Sequence, residues 1–201
     1  MEFGRVEGEV ATRFELSLPD WARESLAAAP AQLDDDARMR WVIALARTNF
    51  QRDTGGPFAA AVFEQESGRV VSIGVNRVVP GNCSSAHAEV MALSLAQQAI
   101  GGHDLGGPGQ PACQIVVNWA PCAMCCGAIC WSGVRSVVIA GSGPEMEALT
   151  GFDEGPLPPR WPDELRRRGI AVRDGVLRDE SLEAFRQFAA SGRPVYNARQ
   201  G

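Results

Sequence analysis

Apolar positions along the chain switch between two periods. After Asp34-Asp35-Asp36, which supply an N-cap and first-turn acids, Met39, Ile43, Ala46 and Phe50 recur at helical spacing until Gly55-Gly56 ends the run. The apolar stretch 58–63 then reads as a strand, Ser67-Gly68 as a turn, and the alternating stretch 69–76 as the hairpin partner. Residues 77–85 read as a loop, and the Ala-rich stretch 86–100, with Val90, Leu93 and Ala96 on successive turns, as a helix. A Gly/Pro-rich loop over 101–111 leads into a strand over 113–119. Pro121 opens a second short helix, a position where its missing N–H costs nothing. Beyond it the pattern predicts a buried strand over 134–140, short helices over 144–149 and 163–168, a strand over 170–173 and a last helix over 182–188. Strands alternating with helices imply an α/β class, a three-layer α/β/α domain on a mixed sheet, over residues 31–201. Residues 1–30 read as a loosely organised extension with one short helix after Pro19-Asp20.

Composition narrows the function classes. The 201 residues fit one domain, and 45% hydrophobic with 21% charged residues is globular. No apolar run approaches the roughly 20 residues of a membrane helix, and residues 1–15 lack the apolar core of a secretory signal, so cytoplasmic residence is expected. A net charge of −5 and a pI near 5.1 disfavour nucleic acid as the main partner, which would want a basic footprint. All 19 basic residues are arginine, which removes Schiff-base lysine chemistry. Of six cysteines, Cys122, Cys125, Cys126 and Cys130 crowd into nine positions, unlike a disulfide framework. Cys83, Cys113, Cys126 and Cys130 are assigned structural roles.

Two short stretches carry the chemistry. His87-Ala88-Glu89 and Pro121-Cys122-Ala123-Met124-Cys125 offer one imidazole and two thiolates, three positions of a tetrahedral zinc site, with water left for the fourth. Both stretches are predicted at helix N-termini, whose free N–H groups and positive dipole end favour thiolates. Glu89 is too close to His87 to be a comfortable fourth ligand and is placed to handle the water's proton. A closed structural zinc site would want a fourth protein ligand, and His103, the other histidine, lies in a glycine-rich loop without a ligand-like neighbour.

His-x-Glu followed by Pro-Cys-x-x-Cys is the signature of the zinc deaminases, in which a glutamate that is not a ligand shuttles protons. With the hairpin ending in Asn76, these motifs resemble the cytidine deaminase-like superfamily over about residues 36–175, which implies its five-stranded sheet. The stretches 56–63, 76–81, 131–136 and 151–156 are most similar to bacterial guanine deaminases, including those that accept the triazine ammeline. The resemblance implies hydrolysis of guanine to xanthine and ammonia on Zn2+ held by His87, Cys122 and Cys125, with Glu89 as proton shuttle and Glu154 assisting. It implies that Asn76 hydrogen-bonds the base, that Phe58 stacks on it, that Trp131 lines the pocket and that Asp153 meets the exocyclic amine. It further implies a homodimer whose C-terminal segments cross, bringing Tyr196 to the neighbouring site. Each substrate residue also has a structural reading: Phe58 and Trp131 as core aromatics, Asp153 and Glu154 as solvated loop charges, Asn76 as a turn residue.

One departure stands out. Where such proteins commonly carry glutamate before Pro-Cys, this chain has Ala120, preceded by Asn118 and Trp119. The departure leaves open another amino-heterocycle, such as ammeline, a modified purine, a pterin, cytosine or a nucleoside. A tRNA adenosine deaminase and a non-catalytic zinc or base-binding module are the remaining readings.

Overall fold

In the computed structural model, which describes residues 11–29 and 34–197, the chain enters through helix α1 (Asp20–Ser25) and one 3-10 turn, then α2 (Asp35–Gln51). The acids act as the pattern predicts: Asp34 caps α2 by accepting the Ala37 N–H at 2.8 Å. Strands β1 (Ala59–Glu64) and β2 (Val70–Val75) form the expected antiparallel hairpin. Helices α3 (Val78–Gly81) and α4 (Ala88–Ile100), strand β3 (Cys113–Val117), helix α5 (Ala123–Ser132) and strand β4 (Ser136–Ile139) follow. Helices α6 (Glu145–Thr150) and α7 (Trp161–Arg167), strand β5 (Ala171–Arg173) and helix α8 (Arg178–Ala190) complete the described chain.

The sheet has five strands in the order β2-β1-β3-β4-β5. β1 is antiparallel to both neighbours, whereas β3, β4 and β5 run parallel, so the sheet is mixed. Strand alternation divides the core in two. Ala60, Val62, Ile115, Val117, Val137 and Ile139 face α4, α5 and α7. Ala59, Ala61, Phe63, Val116, Val138 and Ala140 face α2 and α8. This is the three-layer arrangement expected.

Three local differences from the sequence reading have physical causes. The stretch Val78-Val79-Pro80-Gly81 looks like loop but closes one helical turn, with the Gly81 N–H donating to Arg77 O at 2.8 Å. Pro121 lies outside α5, because Cys122 is the N-cap and its sulfur accepts the Cys125 N–H at 3.5 Å. The N-terminal extension is docked: Trp21 and Ala22 of α1 are buried against α2 in the second core cluster. Gly74 permits the close approach of α4 to β2, since a Cβ there would lie 2.0 Å from Ala88 O.

Candidate active site

The two motifs meet at the N-termini of α4 and α5. His87 and Cys122 are both N-cap residues with extended backbones, so each side chain projects beyond the end of its helix. The ligand atoms of His87, Cys122 and Cys125 all lie within 4.8 Å of one another, and Cys122 Sγ is 3.5 Å from His87 Nδ1. Tetrahedral zinc with bonds of about 2.3 Å to sulfur and about 2.0 Å to nitrogen sets those atoms roughly 3.6 Å apart, so the donor set fits that ion. The electrostatics agree. A hydrogen bond from the Cys125 thiol, joined by His87, holds the Cys122 thiol down at about 4, while Cys125, the donor in that pair and buried, is pushed up.

Glu89, on the first turn of α4, is buried and stands outside the ligand cluster. Burial, and then the negative charge of Cys122, raise its pKa. Glu154 approaches from the loop after α6, where its backbone oxygen accepts the Ala123 N–H at 3.1 Å. Burial raises its carboxyl to about 8, with Cys122 and Glu89 adding to the shift.

These groups lie at one cavity of about 570 Å³. The structure brings His87, Cys122, Glu89, Glu154, Phe58, Asn76, Asp153 and Tyr196 to its walls. Asn76 Oδ1 faces the N–H groups of Gly56 (3.4 Å) and Val78 (3.3 Å), so its NH2 group is left as the donor toward the cavity. Asp153 Oδ1 accepts the Gly155 N–H at 2.8 Å and is exposed. Tyr196 lines the cavity of its own chain, beside Arg193, which is tied to Asp53 at 2.8 Å.

Trp131 is the correction. It is 86% exposed and is not among the cavity residues. It shares a stripe of α5 with Met124, seven positions earlier, which places it roughly 10 Å farther along the helix from the ligands. Other aromatics do the lining: Trp119, Phe152 and Phe188. Phe58 contacts Phe152 and Phe185 with ring centroids 5.1 and 5.4 Å apart, and Trp119 contacts Phe185 at 5.6 Å. Phe188 and Arg193 escaped the sequence reading. The signal available for Phe188 was its three-residue spacing from Phe185 on an amphipathic helix.

Residues 33–141 match the cytidine and deoxycytidylate deaminase zinc-binding region. The chain is 30% identical to the guanine deaminase of Bacillus subtilis over 159 residues, 78% of this chain and 97% of that protein. Guanine deaminase from Nitrosomonas europaea, a solved structure, is 46% identical over 91% of this chain and 100% of that one, with a TM-score of 0.84. NE0047 in complex with 2,6-diaminopurine is 48% identical over 92% of this chain and 97% of that one, also with a TM-score of 0.84.

Proposed function

The chain belongs to the cytidine and deoxycytidylate deaminase zinc-binding family, and from that premise we propose that this aminohydrolase converts guanine and water to xanthine and ammonia. One observation carries the proposal: a cluster of one imidazole and two sulfurs, with the carboxyl of Glu89 outside it, sits at a cavity roomy enough for a bicyclic base. His87, Cys122 and Cys125 would hold zinc, which supplies the Lewis acidity that brings the pKa of water toward 7. In this reading a C–O bond forms at the carbon bearing the exocyclic amine, and the C–N bond to that amine breaks. Glu89 takes the proton released by water and returns it to a ring nitrogen. Glu154 stands ready to protonate the departing amine, and the proton of the new hydroxyl restores it as the carbonyl forms.

Phe58 offers the base a stacking face, and the NH2 group of Asn76 meets an acceptor on it. Asp153 keeps one carboxylate oxygen for the amine. Binding of 2,6-diaminopurine by NE0047, and of 8-azaguanine by a mutant of it, supports a purine in such a cavity. A homodimer belongs to this reading on the strength of the resemblance, which brings Tyr196 of each tail to the neighbouring site.

The buried Trp119 favours one second reading, an altered amino-heterocycle such as ammeline. Its indole lines the cavity, with the Arg178 guanidinium 5.1 Å from the ring centroid. Steady-state ultraviolet assays of the zinc-loaded protein with guanine, ammeline, cytosine and adenosine separate the readings. Turnover of guanine is expected. Turnover of ammeline alone would move the substrate, and turnover of cytosine or adenosine alone would remove the guanine claim.

A further inference from the structure

The cavity wall that carries Asn76 is not held by the sheet alone. Asn49, at the end of α2, is fully buried, and its Nδ2 donates to two backbone carbonyls: Gly56 O at 2.8 Å and Asn76 O at 2.9 Å. The Gly56 peptide is thus shared between two asparagines, since its oxygen accepts from Asn49 while its N–H faces Asn76 Oδ1. Gly55 makes room for this, because a Cβ there would fall 1.8 Å from Asn76 O.

Donor chemistry fixes the direction of the network. The Trp21 indole N–H, which can only donate, bonds to Thr54 Oγ1 at 3.0 Å. With that lone pair engaged, the Thr54 hydroxyl proton turns toward Asn49, whose Oδ1 is 2.8 Å away and backbone O 3.0 Å away. Gly56 O and Asn76 O can only accept, so the NH2 of Asn49 must face them and its Oδ1 turns to the Thr54 hydroxyl. The opposite amide orientation would set a carbonyl oxygen against two others. Trp21 lies on α1, ahead of the residues that match the deaminase region, and is buried at 7% exposure.

We propose that Asn49 is the positioning residue for the base-reading amide of Asn76, and that Trp21, through the Thr54 hydroxyl, braces Asn49 from its other side. The inference deepens the proposed function and rests on its assignment of Asn76 to the base. Asn49 touches no substrate. It holds the Asn76 backbone and the Gly56 peptide so that Asn76 Oδ1 stays engaged and only its NH2 group is offered. Loss of this hold weakens base binding and leaves the chemistry at Glu89 intact.

The test uses the full-length, zinc-loaded chain and three variants: Asn49→Asp, which keeps shape but turns a carboxylate oxygen onto two carbonyls, Thr54→Val and Trp21→Phe. Each is made in the native background and with Asn76→Ala. The expected result is a KM for guanine raised about tenfold by Asn49→Asp and about threefold by Thr54→Val, with kcat within about twofold and zinc content unchanged. Trp21→Phe should follow Thr54→Val in direction. With Asn76→Ala these increases should collapse to less than about twofold, because the group they position is gone. Should Asn49→Asp fail to fold, Thr54→Val and Trp21→Phe carry the cycle. Increases that persist with Asn76→Ala, or an unchanged KM in the folded variants, overturn the inference.

If the native protein does not turn over guanine, the proposed function fails and amide hydrogen exchange of the resting protein decides the positioning claim. The Phe58 N–H donates to Gly56 O at 2.9 Å and the Asn76 N–H to Phe58 O at 3.0 Å, so peptides over 55–58 and 76–78 report on the wall directly. Exchange about tenfold faster there in Thr54→Val, with peptides of α4 and α5 unchanged, supports the inference, and unchanged exchange at 55–58 and 76–78 overturns it.

Discussion

The end of the cavity that carries the His87, Cys122 and Cys125 cluster and the wall that carries Phe58 and Asn76 are built in opposite ways. The cluster end comes from two short stretches at the N-termini of α4 and α5, His87 with Glu89 in one and Cys122 with Cys125 in the other, each pair within four positions of the chain. The wall opposite gathers the loop before β1, the residue after β2, the loop after α6, helix α8 and the tail, joined by side chain-to-backbone hydrogen bonds and ring contacts. One end depends on local spacing and the other on tertiary agreement among distant segments. Damage to the first should therefore be all-or-none, and damage to the second graded.

The largest effect tests the cluster end itself. Cys122→Ala removes both a ligand and the cap of α5, so zinc by elemental analysis should fall from about one per chain to near zero, and turnover and thermal stability with it. Glu89→Ala should keep the metal and lose roughly 10²–10⁴-fold in kcat, the share of positioned proton transfer. Equal turnover in that variant would leave the cluster end without its proposed base. On the wall, Phe58→Ala should raise KM roughly 5- to 100-fold with a smaller change in kcat, since base stacking contributes about 1–3 kcal/mol.

Asn118→Ala probes the wall's frame. Its buried side chain accepts the Ala59 N–H at 2.8 Å and donates to Pro57 O at 3.0 Å, so it holds the segment that carries Phe58. Denaturant melts should show a loss of about 2 kcal/mol, with KM raised a few-fold. Trp131→Ala is the smallest case, with kinetics within about twofold and stability within about 0.5 kcal/mol of the native chain. A large KM effect there would return Trp131 to the site.

The same contrast explains what could be read from residues alone. His87, Glu89, Cys122 and Cys125 were legible because coordination chemistry demands those residue types at that spacing, and the central strands because short apolar runs bounded by turn residues mark strands buried on both faces. Phe58, Asn76, Asp153 and Glu154 had no such demand and were reached through the resemblance. Trp131 misled because nearness to Cys125 in sequence is not nearness on a helix: six positions at 100° each turn it about 120° away. Asn49 was hidden by its place in a helix whose apolar spacing drew attention to Met39, Ile43 and Phe50. A polar residue inside an apolar stripe, seven positions ahead of Gly56, was the signal that could have exposed it.

Helix α8 gives the cavity Phe188 and backs both Phe58 and Trp119 with Phe185, although it lies near the C-terminal end of the described chain. As the polypeptide leaves the ribosome, His87, Cys122 and Cys125 emerge well before this helix. Loss of the chain from α8 onward should therefore strip the cavity of its aromatic backing while leaving all three cluster residues in the polypeptide.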